Sequence, residues 1–217
     1  MLSKLIGPRE VAAEFLGTAT LVMVALVLTQ TTAVSYFIGT SVAITLGVIY
    51  LMFSKLSGAH FNPAITLGMW TVRQINAVAA VFYIAAQLLG GLVSWKLFEY
   101  FVNRHLSARS MSWDWRVVIA EATGTMVLAM GFYAARKHAS ALESALGYGF
   151  ALFVGTIIAS AGFAAGYLNP AVALGEDSFN WVYVIAPLIG GLVGINLYAY
   201  LFDGMKLPKM KIVRPTK

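Results

Sequence analysis

Cysteine is absent from the 217 residues, which excludes disulfide bonds, thiolate metal ligands and cysteine nucleophiles. Charged residues are scarce as well, at 11% of the chain, against about 25% in a typical soluble domain. So few charges cannot cover a water-facing surface of ordinary size, and 59% of the residues are hydrophobic. The composition therefore excludes a soluble enzyme, a disordered chain and a fibrous protein, and it indicates a membrane protein.

The net charge is +6, but no basic patch with interleaved aromatic residues occurs. Nucleic acid is therefore not an expected partner. No pair of nucleophile and base and no cluster of metal ligands appears either. We expect neither an enzyme nor a cofactor or metal site.

The apolar residues are gathered in long runs, each able to cross a hydrocarbon core of about 30 Å. The runs cover roughly residues 11–31, 34–54, 77–101, 115–135, 143–161 and 180–202. Glu14 lies inside the first run and no clear cleavage site follows it, so we interpret this run as a retained helix and not as a signal peptide. The chain is predicted to be an all-α membrane protein with one transmembrane domain over residues 1–217.

An even number of spans puts both termini on one side of the lipid bilayer. If that side is the cytoplasm, eleven basic residues lie inside and four lie outside or near the outer end of a span, in agreement with the positive-inside rule. The eleven are Lys4, Arg9, Lys55, Arg73, Arg136, Lys137, Lys206, Lys209, Lys211, Arg214 and Lys217, and the four are Lys96, Arg104, Arg109 and Arg116. Residues 206–217 then form a basic cytoplasmic tail. We expect a plasma or inner membrane, and the short loops favour a prokaryotic source.

Three motifs occur twice, in the same order. Glu14 in Ala-Glu-Phe-Leu-Gly-Thr is matched 107 residues later by Glu121 in Ala-Glu-Ala-Thr-Gly-Thr, and Asn62 is matched by Asn169 at the same offset. Segments 83–93 and 183–193 match with an offset of 100. The chain is therefore a duplication, with repeats over about 8–105 and about 115–205. Each repeat holds three spans, so the second enters the membrane from the opposite side, as an inverted repeat.

Each repeat also contains an Asn-Pro-Ala segment that is too short to span. The segments are Asn62, Pro63 and Ala64, and Asn169, Pro170 and Ala171. Asn favours the N-cap and Pro the first helical position, so each segment predicts the start of a short helix, with an ordinary loop turn as the alternative. Two such helices from opposite faces would meet N-terminus to N-terminus near the midplane, lining a water-filled cavity. Their partial positive charges, about half a unit each, would oppose cations.

The asparagine carbonyls are predicted to cap their own helices, which would leave each side-chain NH2 group to donate to a water or hydroxyl oxygen. Glu14 and Glu121 are costly inside a membrane unless they are hydrogen-bonded. Their equal spacing to the asparagines predicts that they accept backbone N–H groups of the adjacent loops, and a proton relay is the alternative. His60 is expected to support its loop, because no second metal ligand lies at a useful spacing.

These residues resemble the aquaporin, or major intrinsic protein, family over essentially the whole chain. The resemblance rests on the doubled Asn-Pro-Ala, the Ser-Gly-Ala-His sequence at 57–60 and the duplicated Ala-Glu-x-x-Gly-Thr segments. It implies six tilted helices with two re-entrant half-helices, a homotetramer with one pore in each subunit, and passive flow of water or small neutral solutes.

The outer selectivity filter departs from the family's pattern. An arginine follows the second Asn-Pro-Ala in most members, whereas Val172 stands here. The other filter positions, carried over by spacing, are Val42, Gly166 and either Thr156 or Ile157. Subfamily markers conflict, since Ala173 stands where glycerol channels usually have aspartate.

An arginine would supply rigid donors and exclude bulky solutes, so Val172 predicts a wide, apolar filter that admits glycerol, urea or neutral metalloid hydroxides. The alternatives are a strict water channel, an inverted-repeat secondary transporter and a membrane protein with a closed pore.

Overall fold

The computed structural model describes residues 6–108, 113–137 and 140–204, and these residues form eight α-helices. Within this part of the chain, six helices are long and apolar enough to cross a membrane. They are α1 (Pro8–Thr31), α2 (Ser35–Ser57), α4 (Ala77–Val102), α5 (Trp115–Ala135), α6 (Ala141–Ser160) and α8 (Trp181–Asp203). Two helices are short, α3 (Pro63–Thr71) and α7 (Pro170–Gly175). The predicted all-α fold is confirmed, and the basic tail 206–217 lies outside the described residues.

The spans differ from the predicted runs only at their ends. Helix α1 begins at Pro8 instead of residue 11, because proline suits the first helical position while Arg9 and Glu10 are not apolar. Helix α6 begins at Ala141 instead of residue 143, after the N-cap residue Ser140. Polar residues at helix ends belong to the helix but fall outside any run defined by apolarity.

The helices pack as two matching halves. Helix α1 packs against α2 and α4, and in the same way α5 packs against α6 and α8. The short helices cross between the halves, since α3 packs on α8 and α7 packs on α4. This exchange follows from the inverted repeat, and it brings both half-helices to the centre of the molecule.

Paired glycines allow the half-helices to pack this closely. A Cβ atom at Gly91 would lie 2.4 Å from the carbonyl oxygen of Ala171 on α7. A Cβ atom at Gly191 would lie at the same distance from the carbonyl oxygen of Ala64 on α3. The glycine before each of them is also closely packed, Gly90 against α1 and Gly190 against α5. Small residues at such positions let helix backbones approach each other in membranes.

The surface is apolar and the interior holds polar groups. Large side chains such as Val81 and Phe150 are exposed, whereas Glu14, Gln87 and Glu121 are buried. Polar residues within membrane spans face the interior of the helix bundle in this way. Glu14, Gln87 and Glu121 are hydrogen-bonded where the loops of the two half-helices lie.

Candidate functional site at the crossing of the half-helices

The two Asn-Pro-Ala segments start the half-helices. The Oδ1 atom of Asn62 accepts the N–H of Ala64 at 2.8 Å. In the second repeat, Oδ1 of Asn169 accepts the N–H of Ala171 at 2.9 Å. A proline occupies the first helical position in both cases. An N–H at this position would have no partner within the helix, so the proline costs no hydrogen bond. Each asparagine thus caps its own helix through its carbonyl oxygen, as the Asn-Pro pattern predicts.

The asparagine amides also link the two halves. The Nδ2 atom of Asn62 donates to the carbonyl oxygen of Leu168 at 2.8 Å, and Nδ2 of Asn169 donates to that of Phe61 at 2.9 Å. A side-chain amide carries two N–H groups, so each asparagine uses one of them in this link. The prediction that the whole NH2 group is left for a solute is therefore wrong. One N–H on each asparagine is taken by the opposite loop.

The residue before each asparagine has a left-handed backbone. The φ angle is 52° at Phe61 and 53° at Leu168, a region that bulky residues rarely adopt. The N–H of Phe61 donates to Glu14 at 2.7 Å, and the N–H of Leu168 donates to Glu121 at 2.9 Å. Such backbone strain costs about 1–3 kcal/mol per residue, and hydrogen bonds at both the N–H and the carbonyl of each residue offset it.

The two glutamates hold the rest of each loop as well. Glu14 accepts the N–H of His60 at 2.9 Å, the hydroxyl of Ser57 at 2.6 Å and Nε2 of Gln87 at 2.8 Å. In the second repeat, Glu121 accepts the backbone N–H groups of residues 166 and 167 at 2.8 and 3.1 Å. Sequence reasoning missed the side chains of Ser57 and Gln87. A glutamine in the middle of an apolar span was the available signal for Gln87.

His60 packs inside the first loop. Its Nδ1 atom lies 3.1 Å from the hydroxyl of Thr66, and its ring packs edge-on against Tyr83 and Phe132, with centroids 5.4 Å away in each case. Its carbonyl oxygen accepts the hydroxyl of Tyr148 at 2.8 Å. Among the described residues, no group of three or more His, Cys, Asp or Glu side chains is placed to hold a metal ion. These contacts join His60 to its own repeat and to α5 and α6 of the second repeat.

A very small cavity lies beside the two asparagines. Its volume is about 10 Å³, and a single water molecule needs roughly 10–15 Å³. Large, mostly apolar side chains complete its wall: Leu21, Leu46, Phe61, Leu128, Tyr148, Leu152 and Tyr167. The space at this level therefore fits about one water molecule.

A much larger cavity, of about 560 Å³, opens beyond this point. All five residues that the resemblance assigns to the selectivity filter line it: Val42, Thr156, Ile157, Gly166 and Val172. The structure thus brings together residues that are up to 130 positions apart, from 42 to 172. No arginine or lysine is among the described residues of this wall.

The structure distinguishes Thr156 from Ile157, the two candidates for the filter position on the fifth span, α6. Thr156 lies between two glycines, because Cβ atoms built at Gly39 and Gly166 would each come within 3.6 Å of it. Ile157 also lines the cavity but is 55% exposed, and it is not among the nearest neighbours of a Cβ atom built at Gly166. Gly166 has a φ angle of 70°, which a residue with a side chain would adopt only with strain. Thr156 is therefore the residue that faces the loop of the second half-helix.

Sequence reasoning also missed an acidic residue in this wall. Glu176 follows α7 directly and is 3% exposed. Both of its carboxylate oxygens lie 3.0 Å from the hydroxyl of Thr29 on α1. Its position one helical turn after Val172 was the available signal.

Comparison with known proteins shows which family has this arrangement. The profile described as Major intrinsic protein matches residues 1–198. The chain belongs to the major intrinsic protein family. Members of this family are membrane channels and not enzymes, so the chain is a multi-pass membrane channel.

Individual relatives support the assignment. A probable aquaporin of the TIP type from Nicotiana tabacum is 32% identical over 192 residues, which cover 81% of this chain and 72% of the relative. Aquaporin TIP2-1 from Arabidopsis thaliana is 34% identical over 165 residues, covering 70% and 66% of the two chains. The X-ray structure of the aquaglyceroporin from Plasmodium falciparum superposes with a TM-score of 0.65 at 24% identity, over 90% of this chain and 95% of that one. This last likeness shows the shared fold.

Proposed function

We propose that the chain is a passive channel for water and small neutral solutes of the glycerol, urea or metalloid hydroxide type. The observation that carries this proposal is the outer cavity of about 560 Å³, which is lined by Val172. A valine has no donor and less volume than an arginine, so this wall leaves room for a solute larger than water. Val42, Thr156 and Gly166 form the rest of the proposed filter, with Ile157 at its edge.

In this proposal the asparagine pair orients the permeating molecule. Each of Asn62 and Asn169 has one amide N–H beyond the cross-link, and a passing oxygen can accept it. Two weak donors on an apolar wall align a solute without holding it tightly, which permits fast flow. Glu14, Glu121 and His60 keep the loops in place and do not touch the solute.

Exclusion of ions then rests on the half-helices. The outer wall has no fixed cation among its described residues, so the N-terminal ends of α3 and α7 supply the positive potential at the midplane. We further propose a homotetramer with both termini in the cytoplasm of a plasma or inner membrane. The relatives from tobacco and Arabidopsis lend no support to the expected prokaryotic source.

A strict water channel is the second candidate. The observation in its favour is the cavity of about 10 Å³ beside the asparagines, since a solute must pass this point after the outer cavity. Leucine side chains form much of that wall, and glycerol or urea would pass only if these side chains move aside. The two candidates differ in a single measurable quantity, the ratio of solute flux to water flux.

Stopped-flow light scattering on proteoliposomes tests the proposal, with gradients of water, glycerol and urea applied to wild type and Val172→Arg. Position 172 lies one helical turn before the carboxylate of Glu176, and both positions line the outer cavity. We expect the arginine to lower glycerol and urea flux roughly tenfold or more, and water flux far less. Val172→Ile is the matched control and keeps an apolar wall.

Two results would contradict the wide filter. One is equal loss of all three fluxes in Val172→Arg. The other is the absence of glycerol and urea flux through the wild type while water flows, which would establish the strict water channel.

A further inference from the structure

A guanidinium lies at the inner mouth of the channel, which is the end opposite the outer cavity. Helix α2 connects the two ends, because its first residues line the outer cavity and Gly58 caps its other end. Arg136, the C-cap residue of α5, lies against Gly58. We propose that Arg136 and His60 form a binding site for a small, free planar oxyanion, such as a carboxylate, bicarbonate or nitrate, and that the bound anion slows flow through the channel.

The charge of Arg136 has no acidic partner among the residues that the structure describes. The neighbouring Lys137 is paired with Asp203, whereas no described ion pair includes Arg136. The guanidinium lies instead over the ring of Phe132, with its carbon Cζ 5.6 Å from the ring centroid. An aromatic face attracts a cation, but it leaves the five N–H groups in the plane of the guanidinium without an acceptor. Arg136 is therefore held in place while its N–H groups are available to a ligand.

Gly58 leaves a small space between Arg136 and His60. A Cβ atom built on Gly58 would lie 3.1 Å from Nη1 of Arg136 and 3.6 Å from Nε2 of His60. Apart from the chain neighbours of Gly58, these two residues supply all three of the atoms nearest to it. The two nitrogens therefore face one space, which stays open because residue 58 has no side chain.

A chain of hydrogen bonds makes Nε2 of His60 a donor. The Nε2 atom of Gln87 donates to the hydroxyl of Thr66 at 2.8 Å, and that hydroxyl lies 3.1 Å from Nδ1 of His60. Because the hydroxyl oxygen accepts from Gln87, its single hydrogen is directed to Nδ1. A neutral imidazole that accepts at one nitrogen donates at the other, so the proton of His60 is on Nε2. This N–H is buried and has no hydrogen-bond partner among the described residues.

The two groups together favour a planar oxyanion over other ligands. A guanidinium binds two oxygens of a carboxylate-like group side by side, which an ammonium group cannot do. The N–H of His60 faces the same space and offers a further donor. An ionised oxyanion only accepts hydrogen bonds, and its charge compensates that of Arg136. Cations are repelled from this site, and neutral solutes lack the attraction between opposite charges.

The site lies beside the inner approach to the crossing of the half-helices. The carbonyl oxygen of His60 accepts the hydroxyl of Tyr148 at 2.8 Å, and Tyr148 lines the small cavity beside the two asparagines. The ring of Phe132 packs on that of Tyr148, with centroids 4.8 Å apart. An anion bound to Arg136 is therefore an obstacle at the inner entrance. Its effect on flow rests on the proposed function, whereas its binding does not.

Three variants separate recognition of the anion from surface charge. Arg136→Gln removes the charge and the paired donors. Arg136→Lys keeps the charge but loses the planar arrangement of donors. Arg73→Gln is the matched control, because Arg73 is also exposed, follows α3 on the same face of the membrane, and takes part in none of the described ion pairs.

Sodium nitrate is the probe, because nitrate is a planar oxyanion that stays ionised at neutral pH. It is present on both sides of the proteoliposome membrane and is compared with sodium chloride at equal concentration, so the orientation of the protein does not matter. We expect nitrate to lower water flux several-fold and saturably in wild type and in Arg73→Gln. The inhibition should be weaker in Arg136→Lys and lost in Arg136→Gln.

Thermal unfolding in detergent micelles, followed by tryptophan fluorescence, measures binding separately from flow. A ligand that binds only the folded protein raises the unfolding midpoint. The change in midpoint from chloride to nitrate should therefore be more positive in wild type and Arg73→Gln than in Arg136→Gln.

The same change in midpoint in wild type, Arg73→Gln and Arg136→Gln overturns the binding site, and so does nitrate inhibition that persists in Arg136→Gln. Nitrate that raises the midpoint of wild type selectively but leaves its water flux unchanged overturns the effect on flow. If the wild type conducts no water, the proposed function fails, and the midpoints alone decide whether the site exists.

Discussion

The two repeats hold their half-helices with different numbers of side chains. Glu14 accepts hydrogen bonds from the side chains of Ser57 and Gln87 and from two backbone N–H groups. Glu121, its counterpart, accepts three backbone N–H groups. The residue that matches Gln87 at the offset of 100 is Pro187, which has no donor to offer. Among the described contacts, Glu14 therefore ties two side chains as well as the loop backbone, whereas the donors to Glu121 are all backbone groups.

The half-helices also differ in length and in what lies beside them. Helix α3 has nine residues and α7 has six. Val172 in the first turn of α7 and Glu176 at its C-cap both line the outer cavity. The crossing itself is symmetric, because Phe61 and Leu168 share the same backbone conformation and the same pair of hydrogen bonds. The comparison teaches that the duplication keeps the crossing constant, whereas the wall of the outer cavity, with the proposed filter residue Val172, includes the second half-helix.

Removal of the two glutamates tests this difference and has the largest expected effect. A buried donor left without a partner costs about 1–3 kcal/mol, and Glu14→Ala strands four donors where Glu121→Ala strands three. Both variants should lose several kcal/mol of unfolding free energy, and Glu14→Ala should lose more. Unfolding in mixed detergent micelles, followed by tryptophan fluorescence, measures the order.

Glu10→Ala is the control for these variants, since Glu10 lies in the first turn of the same helix and is partly exposed. It should change stability little. The account of the two networks fails if Glu121→Ala is destabilised as much as Glu14→Ala or more.

Alanine at the paired glycines should have a smaller effect, equal in the two halves. The Cβ atom would lie 2.4 Å from a backbone oxygen at both Gly91 and Gly191, and backbone cannot yield as a side chain can. Overpacking of this kind costs about 1–3 kcal/mol, which the same unfolding experiment detects. Gly147→Ala is the matched control, because its Cβ would meet its nearest neighbour, the Cβ of Ala135, at an ordinary 3.6 Å. Tolerance of alanine in one half alone would show that the crossing is not symmetric.

Much of the fold followed from the sequence because lipid imposes simple rules. Apolar runs of sufficient length predicted the six spans, and equal offsets between Glu14 and Glu121 and between Asn62 and Asn169 predicted two matching halves. The Asn-Pro pairs predicted where the half-helices begin, because capping depends on a few adjacent residues.

Other features of the site depend on contacts that no short pattern encodes. The cross-link requires a left-handed backbone at Phe61 and Leu168, and neither residue is a glycine that would signal such a conformation. Spacing left Thr156 and Ile157 as alternatives, because the loop before Asn169 can differ in length by one residue. A shift of one residue along a helix puts the side chain on a different face. Glu176 acquires its place in the wall only when α7 packs beside α1, where Thr29 lies.

Water, urea and proton flux, measured together in the same proteoliposomes, test most directly whether the crossing of the half-helices forms a pore for neutral molecules. An entrapped pH-sensitive dye reports proton entry while light scattering reports water and urea. We expect water and urea flux to rise with the amount of protein and proton flux to stay at the level of protein-free vesicles. Proton flux that rises in step with water flux, or urea flux that saturates and depends on a proton or sodium gradient, would contradict the account.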